Sequence, residues 1–410
     1  MAKKISAVPL LARRFLLSKA SDKFISLITW VSVIGVALGV LALTVVTGAV
    51  NGFERELSRV ITGMNGEIIF YSRGEPMEEP ELIRARIQKV VPELLSITPT
   101  FVTEVMASGE GGVAGAVIEG IDPDTVGTVT SLPQRVIEGH LAGSEGELTL
   151  GSALAEKLGA KIGSEVRVII PFGESAKKEW GDAPLVLKST VVVIVRMGMY
   201  DYDSKFIFLA LPVVQKFLKQ EGKITSFKIR LKPGSNAQAV SERLGDNFGF
   251  PFRAKYWAQL NKNLFYAVKL EKIVILIILT CIVLVAAFNV VSTLMMMIHD
   301  KTKEIAILKA MGFRQSQSFG LFCLIGVGMG LVGTVFGSTL GVLSNWLLGK
   351  SRLIQLPPDV YYIGFLPVVT EWREVAMIAF SAVGISFLAT LYPAWKVARR
   401  APLEGIRYDS

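Results

Sequence analysis

Four stretches of the chain, about 25–50, 272–298, 317–348 and 374–396, are long, apolar and nearly free of charge. A run of roughly 18 or more such residues crosses the ~30 Å hydrocarbon layer as a helix. Between the first two runs the pattern is mixed. Glu67–Tyr71, Leu95–Met106, Ser226–Leu231 and Pro251–Tyr256 read as strands, and Glu79–Val91 and Asn236–Asn247 as helices, giving two strand–helix–strand units. Val113–Glu119, Glu147–Leu150, Val166–Ile170, Leu185–Arg196 and Phe206–Ala210 make a strand-rich middle. The expected fold is an integral membrane α-helical protein with four transmembrane helices. A large α+β domain at 56–268 lies between helices 1 and 2, with two βαβ-like units and a β-rich insertion at about 113–220.

The remaining divisions follow from the same pattern. Segment 1–23 alternates Lys3, Lys4, Arg13, Arg14, Lys19 and Lys23 with Leu10, Leu11, Phe15, Leu16 and Leu17. It is either an amphipathic helix at the membrane face or a plain basic anchor. Residues 24–55 are the first span with a stalk. The second span, 269–298, extends a helix starting near Trp257. A loop at 299–316, a third span at 317–348, a loop at 349–373, a fourth span at 374–396 and a tail at 397–410 complete the chain. The first run is longer than the h-region of a cleaved signal and lacks a small-x-small site, so it reads as a retained helix.

Charge orients this arrangement. The net charge is +9. Much of the basic charge flanks the apolar runs, which argues for membrane topology and against nucleic acid as a partner. Lys301, Lys303, Lys309 and Arg314 crowd the 299–316 loop, and Lys396, Arg399, Arg400 and Arg407 the tail; the 349–373 loop has only Lys350, Arg352 and Arg373. By the positive-inside rule both termini and the 299–316 loop are cytoplasmic, and the large domain is outside. Cys281 and Cys323 both fall in apolar runs, so the domain has no disulfide framework and depends on its own core.

Catalytic chemistry is not expected. His140 and His299 fall on opposite sides of the membrane, and no His-Glu-x-x-His, Cys-x-x-Cys or Gly-x-Ser-x-Gly sequence occurs. Leu347-Leu348-Gly349-Lys350-Ser351 resembles the end of a phosphate-binding loop, but Ser344 stands where the first glycine belongs. No catalytic, cofactor or metal residues are assigned.

Other residues point to packing and partners. Lys301–Met311 reads as a short helix with Ile305, Leu308 and Met311 on one face and Lys303, Glu304 and Lys309 beside it, ended by Gly312. It either docks in a groove of a partner or rests on lipid. Gly326, Gly330, Gly333, Gly337 and Gly341 form one stripe of the third span, and Gly35 and Gly39 a shorter one on the first; both suit close helix packing. Asn289, Ser292 and Thr293, within the second span, call for interhelical hydrogen bonds or, as the second reading, contact with a substrate. Pro171-Phe172 and Trp180 to Pro184 stiffen a hairpin arm between strands. The arm is either an anchor for a protein partner or a loop whose Trp folds back.

Together these residues resemble the permeases of the lipoprotein-releasing (Lol) ABC transporters, in the wider group of macrolide-efflux and FtsX-type cell-division permeases. The resemblance covers essentially the whole chain. It is carried by Gly35–Gly39 through Asn51-Gly52-Phe53-Glu54, by Gly198-Met199-Tyr200-Asp201-Tyr202-Asp203-Ser204, by Ala287-Phe288-Asn289 through Lys309-Ala310-Met311-Gly312, and by Tyr392-Pro393-Ala394.

The resemblance implies a non-catalytic permease of the bacterial inner membrane with its large domain in the periplasm. It pairs with a like or identical permease and with two copies of a separate ABC ATPase, which binds the ATP and Mg; this chain holds no cofactor. Lipoproteins are drawn from the outer leaflet of the membrane lipid and passed to a periplasmic chaperone. The 301–311 helix is then the coupling helix, with Lys303, Glu304, Ile305, Leu308, Lys309 and Met311 toward the ATPase. Leu43, Val46, Val50 and Phe53 line the lipoprotein cavity, and Pro171, Phe172, Trp180 and Pro184 form a chaperone-binding arm. That arm is more charged than such an arm is expected to be, with Glu174, Lys177, Lys178, Glu179 and Asp182. Two alternatives remain at this stage: an efflux permease for amphipathic small molecules, and a transmembrane scaffold that activates a periplasmic hydrolase.

Overall fold

A computed structural model describes residues 23–139, 143–170, 185–351 and 365–399. The segment 1–22, the arm residues Pro171, Phe172, Trp180 and Pro184, and the tail from 400 lie outside the described residues. In chain order the elements are α1 (Lys23–Asn65), β1 (Ile68–Ser72), α2 (Pro80–Val90), β2 (Leu94–Gly109), β3 (Gly112–Ile121), α3 (Val126–Val129), β4 (Val136–Gly139) and β5 (Glu147–Gly151). Then come α4 (Ser152–Lys157), β6 (Glu165–Ile169), β7 (Val186–Val195), α5 (Tyr200–Asp203), β8 (Phe206–Ala210), α6 (Leu211–Phe217), β9 (Ser226–Leu231), α7 (Ala237–Phe248) and β10 (Phe252–Tyr256). The last are α8 (Trp257–Leu260), α9 (Lys262–Asp300), α10 (Thr302–Ala310), α11 (Gln315–Ser351) and α12 (Trp372–Arg399).

The chain forms two compact units. One comprises Met1–Phe53, Ala267–Ile354 and Leu366–Ser410; the other comprises Glu54–Tyr266 with Gln355–Phe365. The helices α1, α9, α11 and α12 are long and apolar enough to cross a membrane.

In the first unit, Val33, Val36 and Val40 of α1, Val290 and Leu294 of α9, Phe322 and Ile325 of α11 and Ala394 and Val397 of α12 share one core. Hydroxyls in these helices bond to their own backbone: Thr44 to the Val40 carbonyl, Thr280 to Leu276, Ser386 to Ala382 and Thr390 to Phe387. Such bonds remove the cost of an unpaired polar group in hydrocarbon.

In the second unit the strands form one sheet, ordered β10-β1-β9-β2-β3-β8-β5-β7-β4, with β6 pairing to both β2 and β7. The pairs β2–β3, β3–β8, β8–β5, β5–β7, β7–β6 and β6–β2 therefore close a ring of six strands. Closure removes exposed sheet edges. The β-rich middle is thus continuous with the flanking strands. The reason is β2, which at 16 residues is long enough to pair with β9 through Leu94–Thr100 and with β3 through Thr100–Gly109. The outer strands interleave: β9 lies between β1 and β2, and β1 lies between β10 and β9, all antiparallel.

Alternating inward residues supply the core. Ile68 and Phe70 of β1, Ile118 of β3, Leu148 and Leu150 of β5, Val166 and Val168 of β6, Val191 of β7, Ile207 and Leu209 of β8 and Ile229 of β9 are fully buried. Each such side chain contributes about 1.5–3 kcal/mol relative to exposure. Helix α7 covers this face with Val240 and Leu244, and its start is fixed by the Asn236 side chain accepting from the Ala239 N–H at 3.2 Å.

Candidate functional site

Among the described residues, no three His, Cys, Asp or Glu side chains gather as metal ligands would. The candidate surfaces are helix faces and interhelical contacts.

Helix α10 joins two membrane-length helices and has two faces. Ile305 packs in the bundle core, and Ala306 beside it is buried. Lys303, Glu304, Ile307 and Met311 are exposed, and Leu308 is half-buried. Glu304 is held by Lys301 at 2.7 Å. Lys309 turns inward: its ammonium donates to the Val397 and Ala398 carbonyls at 2.9 and 3.2 Å, capping the end of α12. The outward face therefore includes Ile307, which the sequence reading passed over, while Ile305 and Lys309 serve the bundle. Residues 303, 304, 307 and 311 share this face at helical spacing, but the spacing alone does not say that it is the outward one.

The glycine stripe of α11 serves two neighbours. Side chains built on Gly326 and Gly330 would run into Thr390 and Ser386 of α12. On Gly333, Gly337 and Gly341 they would meet Val33 and Val36, Ala37 and Val40, and Thr44 of α1. Gly35 and Gly39 face Ala286 and Val283 of α9. The polar link between α1 and α9 runs through the Ser32 hydroxyl, 2.6 Å from that of Thr293 and donating to the Asn289 carbonyl at 3.2 Å. The Asn289 side chain itself is exposed on the bundle surface.

Toward the end of the first span, polar contacts that were not read from the sequence gather on α1. The Lys272 ammonium donates to the Asn51 side-chain oxygen at 2.7 Å and to Glu374 at 3.3 Å, and the Asn51 amide donates to the other Glu374 oxygen. One amide thus joins α1, α9 and α12. A side chain on Gly52 would collide with the Pro367 carbonyl and one on Gly48 with Asn345; the Val369 N–H bonds to the Gly48 carbonyl at 2.9 Å. The Asn345 amide donates to the Thr44 carbonyl and to Thr370, both at 3.1 Å. The Asn51-Gly52 pair is therefore a notch that receives the segment before α12.

Of the expected cavity residues, Leu43 is buried against Leu279 and Val283, with Val46 packed on the same cluster. Val50 and Phe53 are half-buried. The open apolar face of α1 is Leu27, Trp30, Val31, Ile34 and Leu38.

Where β6 and β7 border the segment 171–184, Met106, Ile169 and Val186 lie in register across β2, β6 and β7, with Ser108, Arg167 and Lys188 in the next row but one. Met106 and Val186 are exposed.

The Gly198–Ser204 segment is a seat. Its turn uses φ +85° at Gly198. The buried Asp203 carboxylate accepts the Met197 and Gly198 N–H groups at 2.6 and 3.2 Å. Burial pushes the Asp203 carboxyl up, opposed by those two bonds and by Arg196 and Arg135. The Tyr202 hydroxyl receives a hydrogen bond from Asn65, the last residue of α1, at 2.7 Å.

Comparisons with known proteins agree over both parts of the chain. Residues 29–247 match the MacB-like periplasmic core domain and 276–402 the FtsX-like permease C-terminal family. The chain is 31% identical over 409 residues to the lipoprotein-releasing system transmembrane protein LolC of Neisseria meningitidis serogroup B, covering 97% of this chain and 98% of that one. It is 30% identical to LolC of Xylella fastidiosa over 407 residues, covering 97% of each chain. It is 28% identical to LolE of Haemophilus influenzae over 410 residues, covering 95% of this chain and 97% of that one. Among solved structures, the periplasmic region of MacB from Actinobacillus actinomycetemcomitans matches with a TM-score of 0.33 at 13% identity, over 50% of this chain and 94% of that one.

Proposed function

The chain belongs to the lipoprotein-releasing LolC/LolE family of ABC permeases, and from that premise we propose that it is the non-catalytic membrane subunit of an ATP-driven machine that lifts lipoproteins out of a bacterial inner membrane. A separate ABC ATPase supplies the energy, the α1–α9 connection folds in the periplasm, and a second permease completes the cavity. A soluble periplasmic chaperone takes the cargo.

The observation that carries the mechanical part is the length of two unbroken helices. Helix α1 has 43 residues and α9 has 39. At 1.5 Å per residue each is about 60 Å long, roughly twice the hydrocarbon thickness. Such rods deliver a tilt at one end to the other. ATP binding draws the two ATPases together, α10 follows through Lys303, Glu304, Ile307 and Met311, and α1 and α9 tilt. The apolar space between first spans closes. Its wall uses Val50 and Phe53 and the open stripe from Leu27 to Leu38. Removing acyl chains from lipid costs about 0.8 kcal/mol per CH₂, so three chains need an external energy source. The exposed Met106 and Val186 at the base of the 171–184 arm support a protein partner there.

Ile307→Glu with Met311→Glu tests the coupling face. The double variant should insert and keep its bundle, since neither side chain is buried, but lipoprotein release in proteoliposomes with the ATPase should fall at least tenfold. Normal release by this variant contradicts the assignment of α10. Release of amphipathic small molecules in place of lipoprotein would favour an efflux permease.

A further inference from the structure

At the C-terminus of α1, the Gly63 and Met64 carbonyls and the Asn65 side chain are held by residues of the soluble unit. Four carbonyls at a helix end lack partners within the helix and normally face water. Here the Gly63 carbonyl accepts the Ser131 N–H at 2.5 Å and its hydroxyl at 2.9 Å. The Met64 carbonyl accepts the Lys228 ammonium at 3.1 Å. The Asn65 amide reaches Tyr202, and at Gly66, with φ +68°, the chain passes so close to the Ile229 carbonyl that a side chain would collide with it. Lys228 is 5% exposed and its ammonium lies 2.5 Å from Glu119, itself 2% exposed. A cation at this position complements the negative end of the helix dipole.

The pair also has a place in the sheet. Lys228 is on β9 and Glu119 on β3, the two strands that flank β2. It reaches across β2 and ties the β10-β1-β9 side to the six-stranded ring, with the helix end seated on it. A buried ion pair is a weak stabiliser compared with apolar residues of the same volume.

We propose that Lys228, held by Glu119, is the joint through which α1 drives the soluble domain: a positioning residue that makes both halves of the sheet follow the helix as one body. This rests on the release mechanism above.

The test uses the full complex with its ATPase. Lys228→Met with Glu119→Leu replaces the pair by apolar groups. The melting temperature should stay within about 5 °C of wild type and ATP hydrolysis within twofold, while ATP consumed per lipoprotein released rises at least fivefold. A covalent joint should restore coupling. A Cβ on residue 63 would lie 3.7 Å from that of Ser131, within the ~3.5–4.5 Å range of disulfides. Gly63→Cys with Ser131→Cys, in a background of Cys281→Ala and Cys323→Ala, should recover the wild-type ratio when oxidised and lose it when reduced. An unchanged ratio in the apolar variant, or uncoupling that the disulfide does not repair, overturns the joint.

Should the apolar pair fail to fold, the cysteine pair alone decides. Release that survives oxidation with Lys228 and Glu119 intact supports a rigid joint, and release that stops on oxidation and returns on reduction overturns it. Spin labels on Arg55→Cys and Lys232→Cys give a readout independent of cargo: one narrow distance through the ATP cycle is expected, and a distance that changes with nucleotide overturns the proposal. A wild-type complex that hydrolyses ATP without releasing lipoprotein would sink the function and leave the label distances to judge the joint.

Discussion

Leucine at Gly337 is expected to take the membrane unit apart. A side chain there meets the Ala37 carbonyl and lies 2.8 Å from the Val40 Cβ. The first contact is with backbone, so no rotamer change relieves it, and α1 and α11 have to separate. Packing between membrane helices depends on such close approach, because lipid competes for every apolar contact. Overpacking a well-filled site costs about 1–3 kcal/mol even where side chains can yield, and the cost here lies at the upper end or beyond. The expected result is a protein that reaches the membrane but is degraded or fails to copurify with its ATPase, so that release is lost. Gly384 on α12 has nothing within 4 Å of a built Cβ, so Gly384→Leu should behave as wild type. Copurification yield of the two variants checks this, and equal yields would remove the packing role of the stripe.

The second large effect belongs to Lys228→Met alone. It leaves the Glu119 carboxylate at 2% exposure without the ammonium that lies 2.5 Å from it, among Ile121, Leu132 and Phe208. Breaking one partner of a buried pair typically costs about 3–5 kcal/mol. For a domain of this size each kcal/mol lowers Tm by roughly 2–4 °C, so a fall on the order of 10 °C is expected in thermal unfolding. Lys228→Met with Glu119→Leu should recover most of that loss, since no charge is then stranded. Two variants equally destabilised would mean that shape, not charge, governs the site.

The membrane helices were legible because hydrocarbon imposes one rule on every residue of a span, and 18 or more apolar residues leave little choice. Strands such as Ser226–Leu231 were legible by alternation. Other features were not, for physical reasons. The ring of six strands depends on which strands pair at long range, and nothing local to β6 reveals that it meets both β2 and β7. Helices α3, α4 and α5 are only four to six residues long, too short for a 3.6-residue period to emerge. Lys228 and Glu119 each looked like a polar residue in a half-buried strand, whereas their pairing crosses β2 and spans more than a hundred residues of chain.

The candidate site divides the same way. The position of α10 followed from its apolar spacing and Gly312, but which face points outward did not: Ile305, Ile307 and Leu308 are equivalent until α12 places its last carbonyls beside Lys309. The glycines of α11 were readable as one stripe, while the switch of partner between Gly330 and Gly333 depends on where α1 and α12 diverge. Asn51-Gly52 carried the family resemblance, and its notch for Pro367 gives a packing reason for those residue types.

The most direct test of the central claim is release itself. The chain is reconstituted in proteoliposomes with its ATPase and partner permease, a triacylated lipoprotein and a soluble periplasmic chaperone, and the lipoprotein leaving the membrane fraction is measured with and without ATP. The account predicts transfer to the soluble fraction that requires ATP and is lost in Ile307→Glu with Met311→Glu. ATP hydrolysis that proceeds while the lipoprotein stays in the membrane would contradict it.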